Sequence, residues 1–171
     1  MIRFLRSARA AALLLLPLVA ACDQGLPTVT GGTNVEGSYI LSSVLVAQGG
    51  GTPSRQPVPL LLYQGPLTVN GTTFTIRYEL LSGALNLARA GGTYSFTATY
   101  RITEVNGAFA PDSRTVAEAG TYLFVNGQIG FTPAPGPEPL LSPGGTLAGS
   151  ELTVQSREPL FGTPGTYVFR R

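Results

Sequence analysis

Two stretches in which apolar and polar side chains alternate decide the fold. Residues 93–103 read TYSFTATYRIT, and residues 73–81 read TFTIRYELL. In the first, Tyr, Phe, Ala and Ile occupy every second position, and Ser, Thr and Arg lie between them. A period of two is typical of a β-strand that buries one face and exposes the other to water. The sequence therefore predicts strands with an apolar inner face.

Turn signals separate such stretches along the chain. Asn-Gly, the pair that suits a type I′ hairpin because both central residues need positive φ, occurs at residues 70–71, 106–107 and 126–127. One short segment, residues 84–90 (ALNLARA), is a candidate for a helix. We predict eight or nine strands, near residues 37–47, 59–69, 72–82, 93–104, 114–125, 128–132, 145–148, 151–156 and 166–170.

Consecutive amphipathic strands joined by short turns need protected sheet edges, and closure into a barrel provides this protection. We therefore predict an all-β fold, an antiparallel up-and-down β-barrel of about eight strands. A two-sheet β-sandwich is the alternative. Two longer loops, residues 48–59 and 132–145, could form the rim of a barrel mouth.

The first 21 residues have the composition of an export signal. Arg3, Arg6 and Arg9 precede the apolar run AAALLLLPLV at residues 10–19, which two alanines follow. A basic start, an apolar centre and small residues before a break are typical of a secretory signal peptide. The apolar run is shorter than the roughly 20 residues that a membrane-spanning helix needs. We predict a signal peptide over residues 1–21.

The end of this segment, LVAAC at residues 18–22, resembles the lipobox of bacterial lipoproteins. The resemblance implies cleavage before Cys22 and a diacylglyceryl thioether on its sulfur. In many bacteria a further acyl chain is added to its amine, and palmitate is the expected label. Two or more acyl chains anchor a protein stably, at about 0.8 kcal/mol per buried CH₂. We expect Cys22 to be lipidated and membrane lipid to be a partner of the chain.

The same resemblance implies an exported protein anchored to a membrane of the bacterial cell envelope. Asp23, next to the modified cysteine, resembles the inner-membrane retention signal of enteric bacteria and favours that membrane; the outer membrane and the cell surface stay open. Residues 22–36 are rich in Gly, Thr and Pro without a period, which predicts a lipidated flexible linker with a mean span on the order of 20 Å. Residues 37–171 form the predicted barrel domain.

Charge and composition exclude several classes of function. All eleven basic residues are Arg, and three of them belong to the leader, so the mature chain has eight Arg against nine acidic residues and a charge of −1. It therefore lacks the basic stripe of a nucleic-acid-binding protein. The absence of His and Lys, with a single Cys, excludes His-based triads, Schiff-base chemistry and thiolate zinc clusters.

We expect no cofactor, no metal and no enzymatic activity. A carboxylate pair is the remaining catalytic option, and Glu79 and Glu104 are the acids in the two best strands. The alternation places Glu79 on the outer face beside Arg77, and solvated charge pairs on that face explain both residues together with Arg101.

The domain begins with Gly-Ser-Tyr-Ile-Leu at residues 37–41 and ends with Tyr-Val-Phe-Arg-Arg at residues 167–171. The opening is similar to the entry motif of lipocalins, and the ending is similar to the last strand of small lipocalin-like bacterial lipoproteins. The resemblance implies a lipocalin-like barrel in which Arg170 packs over Tyr39.

Two functions are compatible with such a barrel. The first is binding of a small hydrophobic molecule or lipid, because an eight-stranded barrel has room for packed side chains or for one small ligand. The second is an envelope structural or protein-interaction module with a filled barrel, in which Leu140 and Leu141 of the Pro-rich loop either contact a partner or fold back on the barrel. The candidate ligand-binding residues are aromatic and predicted to face inward: Tyr39, Tyr78, Phe96, Tyr100, Tyr122 and Phe124.

Overall fold

The computed structural model describes residues 34–47, 52–105, 107, 110–136, 138–160 and 163–171. The predicted signal peptide, Cys22, Asp23 and the linker up to residue 33 lie outside the described residues. Ten strands form one antiparallel sheet. They are β1 (Gly37–Val46), β2 (Ser54–Pro57), β3 (Leu60–Val69), β4 (Thr72–Ala88), β5 (Thr93–Glu104), β6 (Asp112–Val125), β7 (Gln128–Pro133), β8 (Leu141–Ala148), β9 (Glu151–Leu160) and β10 (Thr163–Arg170).

Eight of these strands close into a barrel. From β4 to β10 each strand pairs with its neighbour in sequence, and β10 pairs with β1. The first residues of β1, Gly37–Ile40, then pair with residues 84–87 near the end of β4, which closes the ring. The predicted all-β up-and-down barrel is therefore confirmed, and the sandwich alternative is wrong.

The alternating side chains and the Asn-Gly pairs form the strand faces and turns that the sequence predicts. In β5 the side chains of Tyr94, Phe96, Ala98 and Tyr100 are buried, and those of Ser95 and Thr97 between them are exposed. Two of the Asn-Gly pairs make the expected turns: φ is 50° at Asn70 and 81° at Gly71, and 51° at Asn126 and 80° at Gly127. The third pair, at residues 106–107, is only partly among the described residues.

The helix candidate at residues 84–90 is instead mostly strand, because β4 continues to Ala88 and a 3₁₀ turn at Ala90–Gly92 follows. A β-bulge between Leu80 and Ser82 explains why the strand pattern is not visible there in the sequence. The extra residue shifts the alternation by one position, so Leu85 and Leu87 face inward although they are out of phase with Leu80. In the sequence this shift ends the period of two.

The two predicted loops are shorter than expected. The first contains β2, a four-residue strand that pairs with the end of β1. Its Arg55 makes an ion pair with Glu151 of β9 on the outer face, with 2.8 Å between the nitrogen and the carboxylate oxygen. The second predicted loop loses residues at both ends, since β7 extends to Pro133 and β8 begins at Leu141.

The interior of the barrel is filled where β1 meets β4. Phe96, Tyr167 and Phe169 pack there with ring centroids 5.9–6.1 Å apart. Aromatic rings at such distances stabilise the fold by more than the burial of their apolar area alone. The other fully buried large side chains are Tyr39, Leu80, Leu85, Ile129, Leu141, Leu152, Val44, Val154 and Val168.

One end of the barrel is closed by its own termini. The Tyr39 hydroxyl donates to the carbonyl of Val35 at 2.7 Å, and Val35 is itself buried, so packing begins before the first strand. The Arg171 guanidinium lies over the Tyr39 ring, 5.5 Å from its centroid, and donates to the carbonyl of Glu36. Burial raises the pKa of Tyr39, and the nearby Arg171 partly opposes this increase.

The arginine over Tyr39 is therefore Arg171 and not Arg170, as the resemblance had implied. Arg170 is the register partner of Ile40, and because neighbouring Phe169 faces inward, Arg170 faces outward. There it makes an ion pair with Glu151 at 3.1 Å. Arg171 lies beyond the end of β10, so its side chain can fold across the end of the barrel.

At the opposite end β1 and β4 separate. Beyond its four pairs with β4, β1 pairs with β2, and residues 72–80 of β4 pair with β3. The β3–β4 hairpin consequently extends past the closed ring. Among the described residues, no helix is long and apolar enough to cross a membrane.

Candidate ligand-binding cleft

The extended hairpin and the adjacent ends of β5 and β6 enclose an open cleft with a volume of about 490 Å³. Small-molecule sites in proteins usually have volumes of about 300–1,000 Å³. The cleft is lined by Tyr63, Pro66 and Leu67 of β3, Ile76 and Tyr78 of β4, Tyr100 and Ile102 of β5, and Asp112 and Arg114 of β6. Seven of these nine residues are aliphatic or aromatic, so the cleft is mainly apolar.

Tyrosines on three neighbouring strands form one wall. Tyr63 is the register partner of Tyr78, and the Tyr78 ring stacks on Tyr100 with centroids 5.4 Å apart and an interplanar angle of 15°. The Tyr100 hydroxyl lies 3.2 Å from the Tyr167 hydroxyl in the interior, and the Tyr63 hydroxyl donates to the carbonyl of Pro66. These contacts hold the rings of the aromatic wall in place.

Gly65 allows the Tyr63 ring to lie flat along β3. A Cβ at position 65 would be 2.6 Å from the Tyr63 hydroxyl oxygen and 2.9 Å from the ring carbon that bears it. Any side chain there would force the Tyr63 ring out of its position. The small residue therefore shapes the cleft through close contact.

Apolar side chains at the rim are exposed to solvent. Leu67 is 41% exposed and Ile102 is 40% exposed. Both lie on the inner face of the sheet, which is covered in the closed part of the barrel. Their strands extend past the ring, and among the described residues no facing wall covers them. A ligand in the cleft would bury this surface.

Two charged groups lie among these apolar side chains. Asp112 and Arg114 are on the inner face of β6, as register partners of Ile102 and Tyr100. Within the part of the chain that the structure describes, neither makes an ion pair or a side-chain hydrogen bond. An apolar cavity with a few charged groups is the usual composition of a site for small molecules.

The candidate residues from the sequence divide into three groups. Tyr78 and Tyr100 line the cleft. Tyr39, Phe96 and Phe124 are buried in the core. Tyr122 is half-buried near the closed end, where burial and the neighbouring Glu36 raise its pKa.

Seven of the nine cleft residues were not among the candidates from the sequence: Tyr63, Pro66, Leu67, Ile76, Ile102, Asp112 and Arg114. The run that contains Tyr63, LLLYQGPLTV, has no alternation, and a bulge between Leu61 and Tyr63 breaks its register. Asp112 and Arg114 begin a strand that we predicted to start at residue 114, and polar residues at a strand end carry no signal of direction. The sequence predicts that Ile102 lies on the inner face. It is exposed there because β5 extends past the closed ring, and the sequence does not show where the ring closes.

The Pro-rich segment after β7 is bound to the barrel by Glu118. This inward-facing carboxylate accepts hydrogen bonds from the backbone N–H groups of Leu140 and Leu141 and from the Tyr94 hydroxyl. Burial and the bond to Glu118 raise the pKa of Tyr94 above its usual range, so the phenol stays a donor at neutral pH.

Leu141 is buried and Leu140 packs against the core, so of the two predicted arrangements this loop folds back on the barrel. The leucines of the loop are therefore not a free surface for a partner.

Glu79 and Glu104 do not form a carboxylate pair, because they lie on opposite faces of the sheet: Glu104 is the register partner of Ile76, which lines the cleft. Glu79 lies on the outer face between Arg77, at 2.7 Å, and Arg101, at 2.8 Å. The hydrogen bond from Arg101, with that from Arg77, lowers its pKa. The predicted charge pairs exist, but Glu79 is buried beneath the arginines and not solvated. No group of three metal-ligating side chains occurs among the residues described.

Comparisons with family models, with curated proteins and with solved structures give no significant match to this chain.

Proposed function

We propose that this chain is a lipid-anchored protein of the bacterial cell envelope that binds a small hydrophobic molecule or lipid at the mouth of its barrel. The observation that carries the binding proposal is the apolar cleft between the β3–β4 hairpin and β6. The lower barrel is filled with side chains, so the ligand binds at the mouth and not deep inside. The anchoring proposal rests on the signal sequence and on Cys22.

Three features of the cleft support binding. Its volume is in the range of small-molecule sites. Its aromatic wall is already ordered by Tyr–Tyr stacking, so little conformational entropy is lost when a ligand binds. Its rim leaves Leu67 and Ile102 exposed, and burial of apolar area contributes about 25 cal/mol per Å².

The cleft should bind N-phenyl-1-naphthylamine, a neutral apolar fluorophore, and the variant Ile102→Asn should weaken this binding at least fivefold. The asparagine replaces an exposed apolar contact by a polar group that must be desolvated. The dissociation constant is measured by fluorescence titration of the purified domain.

The matched control is Leu123→Asn. Leu123 is 56% exposed on the outer face of β6, away from the cleft, so its replacement should leave the dissociation constant unchanged within twofold. Equal effects of the two variants, or no binding by the wild-type protein, would refute the cleft as a binding site. Native mass spectrometry of protein purified from its own host then identifies a natural ligand as a co-purified mass.

Replacing Cys22 by serine should release the protein from membranes. Serine offers no thiolate for the thioether, so the acyl chains that hold the chain at the bilayer are not attached. The measurement is membrane fractionation together with radiolabelled palmitate incorporation in the native host. Membrane association and labelling that persist in the variant would show that the lipobox assignment is wrong.

The second candidate is an envelope interaction module. One observation favours it: among the described strands β3 pairs with β4 alone, through one edge, and it carries exposed Leu61, Leu67 and Val69. An unpaired strand edge can accept a strand of another protein. A partner that competes with the fluorophore, in a pull-down sensitive to substitutions in β3, would support this function over ligand storage.

A further inference from the structure

The two charged groups of the cleft lie at different depths. Asp112 is opposite Ile102, which is 40% exposed at the rim, whereas Arg114 is opposite Tyr100, which is 3% exposed. Two residues along a strand correspond to about 7 Å. The guanidinium is thus attached one step farther into the cleft, beside the aromatic wall, and the carboxylate is attached at the solvent edge.

Within the described part of the chain, Arg114 forms no ion pair. The next acid inward on the same face of β6 is Glu118, four residues away, and its oxygens already accept bonds from Tyr94, Leu140 and Leu141. Among the described side chains no carboxylate is within 4.0 Å of Arg114. Arg114 is exposed at the open side of the cleft, and a guanidinium binds carboxylate, sulfonate or phosphate oxygens through its planar N–H groups.

We infer that the cleft selects amphiphiles with an anionic group, which Arg114 binds while the apolar body lies on the tyrosine wall. This inference rests on the proposed ligand binding and names its ligand class. Asp112 at the rim carries the opposite charge. It repels a second negative group on the ligand and accepts a hydrogen bond from a ligand hydroxyl. The ligand is therefore a compact monoanion and not a polyanionic lipid.

The first experiment uses two fluorophores with the same apolar body. 1-Anilinonaphthalene-8-sulfonate is N-phenyl-1-naphthylamine with one added sulfonate, so the ratio of their dissociation constants isolates the contribution of the anion. The wild-type protein should bind the sulfonate at least fivefold more tightly than the neutral compound. In Arg114→Gln this preference should disappear, because the amide carries no positive charge to bind the sulfonate.

Arg89→Gln is the control for net charge. Arg89 is highly exposed at the closed end, where it pairs with Glu36, so this variant loses the same unit of charge far from the cleft. Its preference for the sulfonate should equal that of the wild-type protein. Asp112→Asn should increase the preference, because it removes the negative group near the bound anion.

A second experiment tests aliphatic ligands by displacement of the neutral fluorophore. Dodecanoate should compete more strongly than dodecylammonium in the wild-type protein, and Arg114→Gln should reverse this order because Asp112 remains. Equal affinity of the wild-type protein for the two fluorophores, or an equal loss of preference in Arg89→Gln, would overturn the inference while the cleft still binds apolar molecules. Failure of both fluorophores to bind would instead refute the proposed function.

Discussion

Replacing Phe96 by alanine should lower the free energy of unfolding by about 3–5 kcal/mol, the range for deletion of a buried phenylalanine ring. Phe96 is 1% exposed, and its ring contacts those of Tyr167 and Phe169 on the opposite wall of the barrel. Alanine would leave a cavity that this closed wall cannot fill by collapse. The measurement is equilibrium unfolding in urea, followed by the far-ultraviolet circular dichroism of the domain.

The neighbouring Ser95 provides the control, because it is exposed on the outer face of the same strand. Ser95→Ala should change the free energy of unfolding by less than about 0.5 kcal/mol. Phe96→Leu keeps much of the volume and should cost less than the alanine variant. A loss below about 1 kcal/mol in Phe96→Ala would mean that the barrel interior is open, which would return Phe96 to the set of ligand-binding candidates.

Replacing Glu118 by alanine should lower the free energy of unfolding by about 2–3 kcal/mol. Strand β7 ends at Pro133, so beyond this residue the wall between β6 and β8 has no intervening strand. The Glu118 carboxylate bridges this gap, and its removal leaves three donors without their acceptor. Lost hydrogen bonds to a charged group cost about 1.5–3 kcal/mol each, less where water can replace the acceptor.

The effect should also be local. Amide hydrogen exchange at Leu140 and Leu141 should accelerate in Glu118→Ala, because both amides donate to this carboxylate. Glu138→Ala, in the same Pro-rich segment but exposed, should change neither the exchange nor the unfolding energy. Tyr94→Phe removes one of the three donors and should have a smaller effect than Glu118→Ala. If Glu118→Ala and Glu138→Ala behaved alike, the bridge would not hold the segment.

Features of the fold that depend on a few neighbouring residues are predicted correctly from the sequence, whereas features that depend on distant residues are not. The alternation of β5 determines which of its side chains are buried, since a strand between two partners places successive residues on opposite faces. The Asn-Gly turns at residues 70–71 and 126–127 are equally local. By contrast, β2 contains only Ser-Arg-Gln-Pro, and this segment is a strand because β1 pairs with it and Glu151 binds its arginine.

The same distinction separates the aromatic residues that were predicted to form one ligand site. All six belong to strands with an inner face, and in sequence nothing distinguishes Phe96 from Tyr100. Their roles differ because of their height in the barrel: Phe96 lies where β1 and β4 close the ring, and Tyr100 lies where these strands separate.

By itself, the sequence determined an all-β fold, nine of the ten described strands and which of their faces are apolar, because side-chain alternation and turn chemistry act over a few residues. Only the tertiary structure decided the rest. Strand β4 pairs with β3 before the bulge at Leu80–Ser82 and with β1 after it. The register of β5 with β6 places Arg114 opposite Tyr100. The cleft exists because strands of unequal length meet at one end of a closed ring, and strand pairing across more than a hundred residues is not encoded in any short pattern.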